Sequence, residues 1–243
     1  TCLDFIEKSQ ILPLSVSLSS DKDLLSGLIQ NESKSGLSKF HLDKIRKKYK
    51  NNDISFDELF YYTYGLFHSI EYREKYKHNL TKSEPRIPFP KQFDDFKAFA
   101  LSGSKLSDLH LNYESAEIYN CEIKEGDLRL TQIENPKDFY RVEKMRFGKK
   151  GDKSIVVYNN NITIHNIPLE SYGYVVNGKS ALEWIMERQI VSTDNKSKIT
   201  NDANDYANET MNNPAYPLEL FQRIITVSLE TMKIVKSLPK LDI

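Results

Sequence analysis

The stretch Ser154–His165, SIVVYNNNITIH, decides the fold class of this sequence of 243 residues. Two short runs rich in β-branched residues flank three asparagines, a pattern typical of two strands joined by a turn. Another run with strand character, Tyr140–Phe147, lies just before it. A block of strands therefore interrupts a chain that elsewhere has helical spacing.

The segments on both sides of this block carry helix signals. Ser55 and Glu58 form a capping box ahead of an apolar stripe that runs to Phe67. The last helix is predicted at Pro217–Leu238, with a proline in its first turn. We therefore predict an α+β fold with a helical N-terminal half, a central antiparallel or mixed β block and C-terminal helices.

Composition limits the class of protein. Lys and Arg number 34 and so do Asp and Glu, so a nucleic-acid surface would require local segregation of charge. Two cysteines far apart, Cys2 and Cys121, favour free thiols in a reducing, cytoplasmic setting. No apolar run approaches the length of a membrane span, so no membrane partner is expected. A start at Thr1 and not at Met favours a segment of a longer polypeptide.

The stretch Gly173–Ser180, GYVVNGKS, spells the phosphate-binding loop of nucleotide hydrolases. A working loop follows a buried strand and uses small residues, whereas Val175–Val176 suits a short strand. Asn177-Gly178 is a tight-turn pair, and Ser180 with Glu183 forms a second capping box. We predict a strand, a turn and a helix cap here, not an ATP site.

Other catalytic patterns are weak. Glu122-Ile-Lys124 has the acid-x-Lys spacing of metal-dependent nucleases, but the same triplet occurs elsewhere in this charge-rich chain. Asn213-Pro-Ala-Tyr216 lacks the second proline of the amino-methylation motif and leads into the last helix. The five histidines have no metal-ligand spacing. We predict no catalytic residue and no metal site, with a nuclease fragment around Glu122 as an open alternative.

Two segments concentrate polar and basic side chains. Arg141–Lys153, RVEKMRFGKKGDK, has six basic and two acidic residues on a predicted strand pair and its turn, and Ser192–Tyr206 is a polar loop. Side chains of this kind contact phosphates and base edges, although a solvated hairpin and loop would look the same. The candidate residues are Lys144, Arg146, Lys149 and Lys150 on the basic face, Asn177 and Lys179 at the helix start, and Lys196, Lys198 and Asn201 in the loop.

Several segments together resemble the C-terminal target-recognition domain of single-polypeptide type I (type ISP) restriction-modification enzymes. They include KMRFGKKGDKSIVVYNNNITIHNIP (Lys144–Pro168) and YGYVVNGKSALEWIMERQ (Tyr172–Gln189), and the others are Asp57–Pro90, Leu106–Ser115 and Val227–Pro239. The resemblance runs from about Asp53 onward in order, whereas the first fifty residues match poorly. Members of that family often have Arg where this sequence has Lys179, which also argues against a nucleotide loop.

The resemblance implies a domain organisation. Residues 53–243 would form the target-recognition domain, with a helical part at 53–115, a β-rich part at 116–176 and a C-terminal helical part at 177–243. Residues 1–52 would be a lead-in packed on the rest.

The resemblance also implies a function. The chain would recognise a specific sequence in double-stranded DNA and hold the target adenine for a methyltransferase domain outside it. The methyltransferase and helicase-like domains of the same polypeptide would be its partners. S-adenosylmethionine, ATP and Mg²⁺ would bind in those other domains and no cofactor here, so this chain would not itself be an enzyme. A docking module that uses the aromatic helices at Phe60–Tyr76 stays open as an alternative.

Overall fold

The computed structural model describes residues 13–18, 32–80, 82, 85–123 and 133–243. Cys2 lies outside these residues. So do segment 21–31, whose sequence predicts a helix, and nearly all of segment 128–133, whose sequence predicts a strand. The chain divides into two compact units, one formed by residues up to Ser107 together with Ser237–Ile243, the other by Asp108–Lys236. The predicted boundary at residue 53, between a lead-in and a target-recognition domain, is a different division of the chain and stays a prediction.

The first unit begins with two antiparallel strands and continues with helices. Its elements are β1 (Ser15–Leu18), β2 (Glu32–Ser35), α1 (Lys39–Tyr49), α2 (Phe56–His68), α3 (Ile70–Lys75), α4 (Lys77–Leu80) and most of α5 (Phe93–Leu111). The predicted capping box starts α2: Ser55 Oγ accepts a hydrogen bond from Glu58 N, and Glu58 Oε2 accepts one from Ser55 N, both at 3.1 Å. Local sequence therefore fixes where this helix begins.

Helices α2 and α5 cross at two glycines. A Cβ atom on Gly103 would lie 1.8 Å from the carbonyl oxygen of Tyr61, and one on Gly65 would lie 2.4 Å from that of Phe99. Gly103 lies within α5 without interrupting it, and its lack of a Cβ lets the two backbones come into contact. Around this crossing the aromatic side chains of Tyr62, Phe96 and Phe99 are fully buried.

The proline-rich segment after α4 is an internal connector. Its carbonyl groups at Arg86 and Pro90 accept hydrogen bonds from the hydroxyls of Tyr72 at 2.7 Å and Tyr49 at 2.6 Å, and Pro88 O accepts one from Tyr62. Every second carbonyl group of this segment thus accepts a hydrogen bond from a tyrosine hydroxyl. These bonds replace the backbone hydrogen bonds that a proline-rich segment cannot form in a helix or sheet. The aromatic residues proposed as a docking surface therefore pack largely within their own unit.

The second unit is built around a small antiparallel sheet with strand order β3-β6-β5-β4. The strands are β3 (Glu122–Ile123), β4 (Arg146–Phe147), β5 (Val156–Val157) and β6 (Thr163–His165), and α6 (Pro136–Tyr140) precedes β4. The predicted strand Tyr140–Phe147 was too long at its start. Asn135 Oδ1 accepts from Asp138 N at 3.4 Å and Pro136 takes the first helical position, so a helix forms there.

The rest of the second unit consists of short hairpins and helices. They are β7 (Val175–Val176), β8 (Lys179–Ser180), α7 (Ala181–Arg188), β9 (Ser192–Thr193), β10 (Thr200–Asn201), α8 (Ala203–Asp205), a π-helical turn (Tyr206–Thr210) and α9 (Tyr216–Lys236). Phe221 and Ile225 of α9 are fully buried in one core with Val156 and Ile164 of the sheet. The predicted α+β class, with a central β block and C-terminal helices, is confirmed.

Candidate nucleic-acid interface

The basic hairpin, Arg141–Lys153, ends in a tight turn that exposes two lysines. A 3₁₀ turn at Lys149–Gly151 joins β4 to β5, and Gly148 N donates to Ile155 O at 2.9 Å. Lys150 and Gly151 have left-handed backbone angles, with φ of 58° and 76°. Asp152 Oδ1 accepts from Ser154 Oγ at 2.7 Å, which lowers the pKa of Asp152 and holds the turn. The charged groups of Lys149 and Lys150 are therefore presented on a defined turn.

Two cations of the basic hairpin are occupied by ion pairs. Lys153 Nζ lies 2.9 Å from Glu183 Oε1 and near the rings of Phe147 and Tyr172. Arg141 Nη2 donates to Asp202 Oδ2 at 2.9 Å. The other four cations of the segment are exposed and form no ion pair with a carboxylate in the described part of the chain: Lys144, Arg146, Lys149 and Lys150.

The stretch GYVVNGKS forms the hairpin and helix cap that its side chains predicted. β7 and β8 pair antiparallel across Asn177-Gly178, whose φ angles are 48° and 84°. Ser180 then caps α7, because its Oγ accepts from Glu183 N at 3.2 Å while Glu183 Oε2 accepts from Ser180 N at 3.0 Å. The segment that enters the hairpin is a 3₁₀ helix, Leu169–Gly173, and not the buried strand of a phosphate-binding loop.

The start of α7 already holds a negative charge. Hydrogen bonds from Ser180 and Lys153 lower the pKa of Glu183 to about 2, so this carboxylate stays ionised beside the helix amides. Lys179 Nζ forms an ion pair with Glu187 Oε2 at 2.5 Å and lies 4.9 Å from the centre of the Trp184 ring. A phosphate at Lys179 would therefore compete with Glu187. Asn177, at the exposed turn, has no such competitor among the described residues.

The polar hairpin, Ser192–Asn201, is exposed along its whole length. β9 pairs with β10, and the Thr193 and Thr200 hydroxyls lie 2.9 Å apart. Asp194 Oδ1 accepts hydrogen bonds from the Ser197 amide at 2.7 Å and from the Ser197 hydroxyl at 2.9 Å, and these bonds lower the pKa of Asp194. The tip is thus shaped by its own side chains, with Lys196 and Lys198 exposed on it.

Hydrogen bonds join the start of the basic hairpin to the residues that flank the polar hairpin. Val191 N donates to Glu143 O at 2.9 Å. The side chain of Asn204 accepts a hydrogen bond from Val142 N at 2.9 Å through Oδ1 and donates one to Val142 O at 2.8 Å through Nδ2. It therefore pairs with the Val142 backbone in the way that a neighbouring strand does. Together with the ion pair between Arg141 and Asp202, these bonds hold the basic hairpin and the polar hairpin in a fixed relative position.

One predicted residue has a structural role and one exposed residue was overlooked. Asn201 Nδ2 donates to Arg188 O at 3.3 Å and to Ile190 O at 3.2 Å, which ties the polar hairpin to the end of α7. Asn195, in contrast, is exposed at the tip, and its side chain forms no hydrogen bond to a described residue. The richness of this loop in Asn was visible in the sequence, but spacing alone did not separate a tip residue from an anchor.

The open catalytic alternative gains no support from Glu122. Its Oε2 accepts a hydrogen bond from Asn166 Nδ2 at 2.5 Å on the edge strand β3, and Lys124 lies outside the described residues. Among the residues that the structure describes, no three His, Cys, Asp or Glu side chains come together as a metal-binding group. In the same residues no helix is both long and apolar enough to cross a membrane.

The sequence matches one known family and several solved structures. Residues 1–220 match the family described as type ISP C-terminal specificity domain, so the match includes the first fifty residues, where the resemblance had been poor. The chain is similar to the ATP-dependent type ISP restriction-modification enzyme LlaBIII bound to DNA, with 37% identity over 96% of this chain and a TM-score of 0.78. No curated protein matches the sequence.

Two further structures are similar over most of the chain. A nuclease-deletion mutant of the type ISP enzyme LlaGI in complex with a DNA substrate mimic has 43% identity over 79% of this chain and a TM-score of 0.65. A DrdV–DNA complex has 27% identity over 87% of this chain and a TM-score of 0.68. This chain spans only 14%, 17% and 21% of the LlaBIII, LlaGI and DrdV chains, so it corresponds to a small part of each.

Proposed function

The chain belongs to the family of type ISP C-terminal specificity domains, and from this membership we propose that it recognises a specific sequence in duplex DNA. The observation that carries the proposal is the similarity of 96% of the chain to part of an enzyme bound to DNA. In this proposal the chain performs no chemistry itself. It holds a target adenine in place for a methyltransferase domain elsewhere in a restriction-modification polypeptide, which would flip the base out of the duplex.

The basic hairpin supplies contacts to the phosphate backbone in this proposal. Lys144, Arg146, Lys149 and Lys150 are exposed and unpaired with described carboxylates. Cations of this kind release counterions from DNA when they bind it, so affinity falls steeply with salt but depends little on sequence. Such contacts set the position and orientation of the protein on the duplex.

The polar hairpin is our candidate for the element that reads bases. Neighbouring strands lie about 4.8 Å apart, so a two-stranded ribbon with its side chains fits the major groove, about 12 Å wide, and not the minor groove, about 6 Å wide. An asparagine amide can form two hydrogen bonds to an adenine edge, and Asn195, exposed at the tip, is our candidate for this role. Lys196 and Lys198 would contact a guanine edge or the flanking phosphates.

Three predicted contacts rank lower. To contact DNA, Lys179 would have to break its ion pair with Glu187. Asn201 would have to break its hydrogen bonds to two backbone carbonyl groups. Asn177 is exposed but uncharged, so its contact with a phosphate would release no counterion. We retain these three as secondary contacts.

We propose the setting that the resemblance implies. The partners are duplex DNA and the methyltransferase and helicase-like domains of the same polypeptide. S-adenosylmethionine, ATP and Mg²⁺ would act in those domains and not in this chain. Duplex DNA and the unpaired thiol of Cys121 are compatible with the cytoplasm.

The proposal is tested by selection from a library of duplexes with a randomised core. The protein is incubated with the library, bound duplexes are recovered and amplified, and the enriched sequences are read after several rounds. We expect one asymmetric or symmetric consensus of defined length to emerge. Binding without any consensus would reduce the chain to a non-specific DNA-binding domain, and recovery no better than that from beads without protein would contradict the proposal.

A further inference from the structure

Helix α1 in the first unit is the most basic segment of this neutral chain. Lys39–Lys50 contains six Lys and Arg and one acid, Asp43, a surplus of five, against a surplus of four over the basic hairpin. Leu42 and Ile45 are buried and face the core. At 3.6 residues per turn, Phe40, Lys44 and Lys47 therefore share the opposite, exposed face.

Few of these charges are used within the protein. Arg46 donates to the carbonyl of Ile54 at 2.9 and 2.6 Å, and Lys48 donates to the carbonyl of Phe89 at 2.7 Å. The remaining four lysines of the segment form no ion pair with the residues that the structure describes: Lys39, Lys44, Lys47 and Lys50.

The stability of α1 does not explain this charge. Cations in a last helical turn interact favourably with the helix dipole, but this does not account for Lys39 and Lys44, and Lys47 is left without a carboxylate partner among the described residues. The first turn, however, has no acid, begins with Lys39 and follows Ser38, whose side chain makes no capping hydrogen bond. Positive charge at a helix N-terminus opposes the dipole, so Lys39 does not serve the stability of α1 either.

We propose that the exposed face of α1, formed by Phe40, Lys44 and Lys47, binds the phosphate backbone of duplex DNA. This inference rests on the proposed function and adds a contact surface in a unit that contains none of the predicted DNA-binding residues. The contact is independent of base sequence, since lysines on an exposed helix face pair with phosphates without reading base edges. Phe40, 69% exposed, borders the charged face and packs edge-on against the His41 ring, 5.5 Å away between centroids.

The test is a binding titration of the protein with a duplex carrying its selected sequence, repeated at several salt concentrations. In the variant Lys44→Ala/Lys47→Ala we expect the negative slope of log Kobs against log salt to become shallower by about 1.8, which is about 0.9 for each phosphate that a lysine no longer neutralises. At low salt the affinity should fall by at least about tenfold, equally for selected and shuffled duplexes. Alanine favours helix, so α1 should persist, which circular dichroism checks.

Two other variants make the result decisive. Asp43→Asn removes the only acid of the segment and should tighten binding to both duplexes. Lys75→Ala/Lys105→Ala removes two exposed lysines of the same unit on α3 and α5 and should leave the slope unchanged. If the α1 variants bind like wild type while basic-hairpin variants weaken binding, this inference fails and the proposed function stands. If no consensus is selected and only the α1 variants weaken binding to a duplex of random sequence, the proposed function fails and the α1 contact stands.

Discussion

Lys153 at the end of the basic hairpin forms an ion pair with Glu183 in the first turn of α7, with 2.9 Å between Nζ and Oε1. The same carboxylate closes the capping box with Ser180. One acid therefore joins the strand block to the helix that follows it, and it removes Lys153 from the set of cations that could contact DNA. The other lysines of the basic hairpin are left to do so.

This pair predicts a specific pH dependence of stability. The folded pKa of Glu183, about 2, lies below its ordinary value of 4.5, so its stabilising effect is complete above about 4.5 and is lost as the pH falls towards 2. We expect Glu183→Gln to lower the free energy of unfolding by about 1–2 kcal/mol at pH 7. Urea unfolding of both proteins between pH 7 and pH 3 should show this difference shrinking below about pH 4.5.

A neighbouring acid provides the control. Glu187 pairs with Lys179 at the surface, where both side chains are about half exposed, so Glu187→Gln should cost less than about 1 kcal/mol. A Glu183→Gln variant as stable as wild type at pH 7, or one whose deficit stays constant down to pH 3, would refute the assigned role of this carboxylate.

The crossing of α2 and α5 predicts that Gly103 cannot be enlarged. Its Cβ would lie 1.8 Å from Tyr61 O, which is backbone and cannot rotate away. Gly103→Ala should therefore destabilise the protein by about 3 kcal/mol or more, despite the better helix propensity of alanine. Thermal unfolding measures this, with Ser104→Ala on the next residue of α5 as a control that should stay near wild type. Equal melting temperatures for the two variants would show that the helices separate easily.

The tip of the polar hairpin predicts a change of specificity without a general loss of affinity. We expect Asn195→Ala to relax the selected consensus at one adenine and to weaken binding to the consensus duplex by about 1–3 kcal/mol. Replacement of that adenine by 7-deazaadenine, which lacks the major-groove N7 acceptor, should weaken wild type but not Asn195→Ala. An unchanged consensus in the variant would exclude Asn195 as a base contact, and additive losses from the two changes would exclude a direct contact with N7.

Local features of the fold could be predicted from sequence, and long-range ones could not. The capping boxes at Ser55 and Ser180 and the turn at Asn177-Gly178 depend on residues within a few positions, so their structure follows from spacing. The length of β4 depends on its pairing with β5 and on the helix started by Asn135, which the period-two pattern concealed. The bonds between Val142 and Asn204, 62 residues apart, leave no local trace.

The same distinction holds for the candidate interface. Charge density selected Lys149 and Lys150, which are exposed, and their contact with DNA stays a prediction. It could not show that Lys179 would pair with Glu187 or that Asn201 would bind two backbone carbonyls, because those partners are chosen by the folded chain. Nor does the sequence reveal which lysines of α1 lack an acidic neighbour.

The central claim, that the basic hairpin holds duplex DNA by its backbone, is tested by the variant Lys149→Ala/Lys150→Asn. Asparagine is used at Lys150 because it tolerates the left-handed φ of 58° there. The control is Lys233→Ala on α9, an exposed lysine paired with Glu230.

Fluorescence anisotropy across salt concentrations, with the selected and a shuffled duplex, gives the decisive measurement. We predict that the double variant binds both duplexes more weakly by the same factor, with a negative salt slope that is shallower by about 1.8, while the control matches wild type. A double variant that keeps the affinity and salt slope of wild type on both duplexes would contradict this claim.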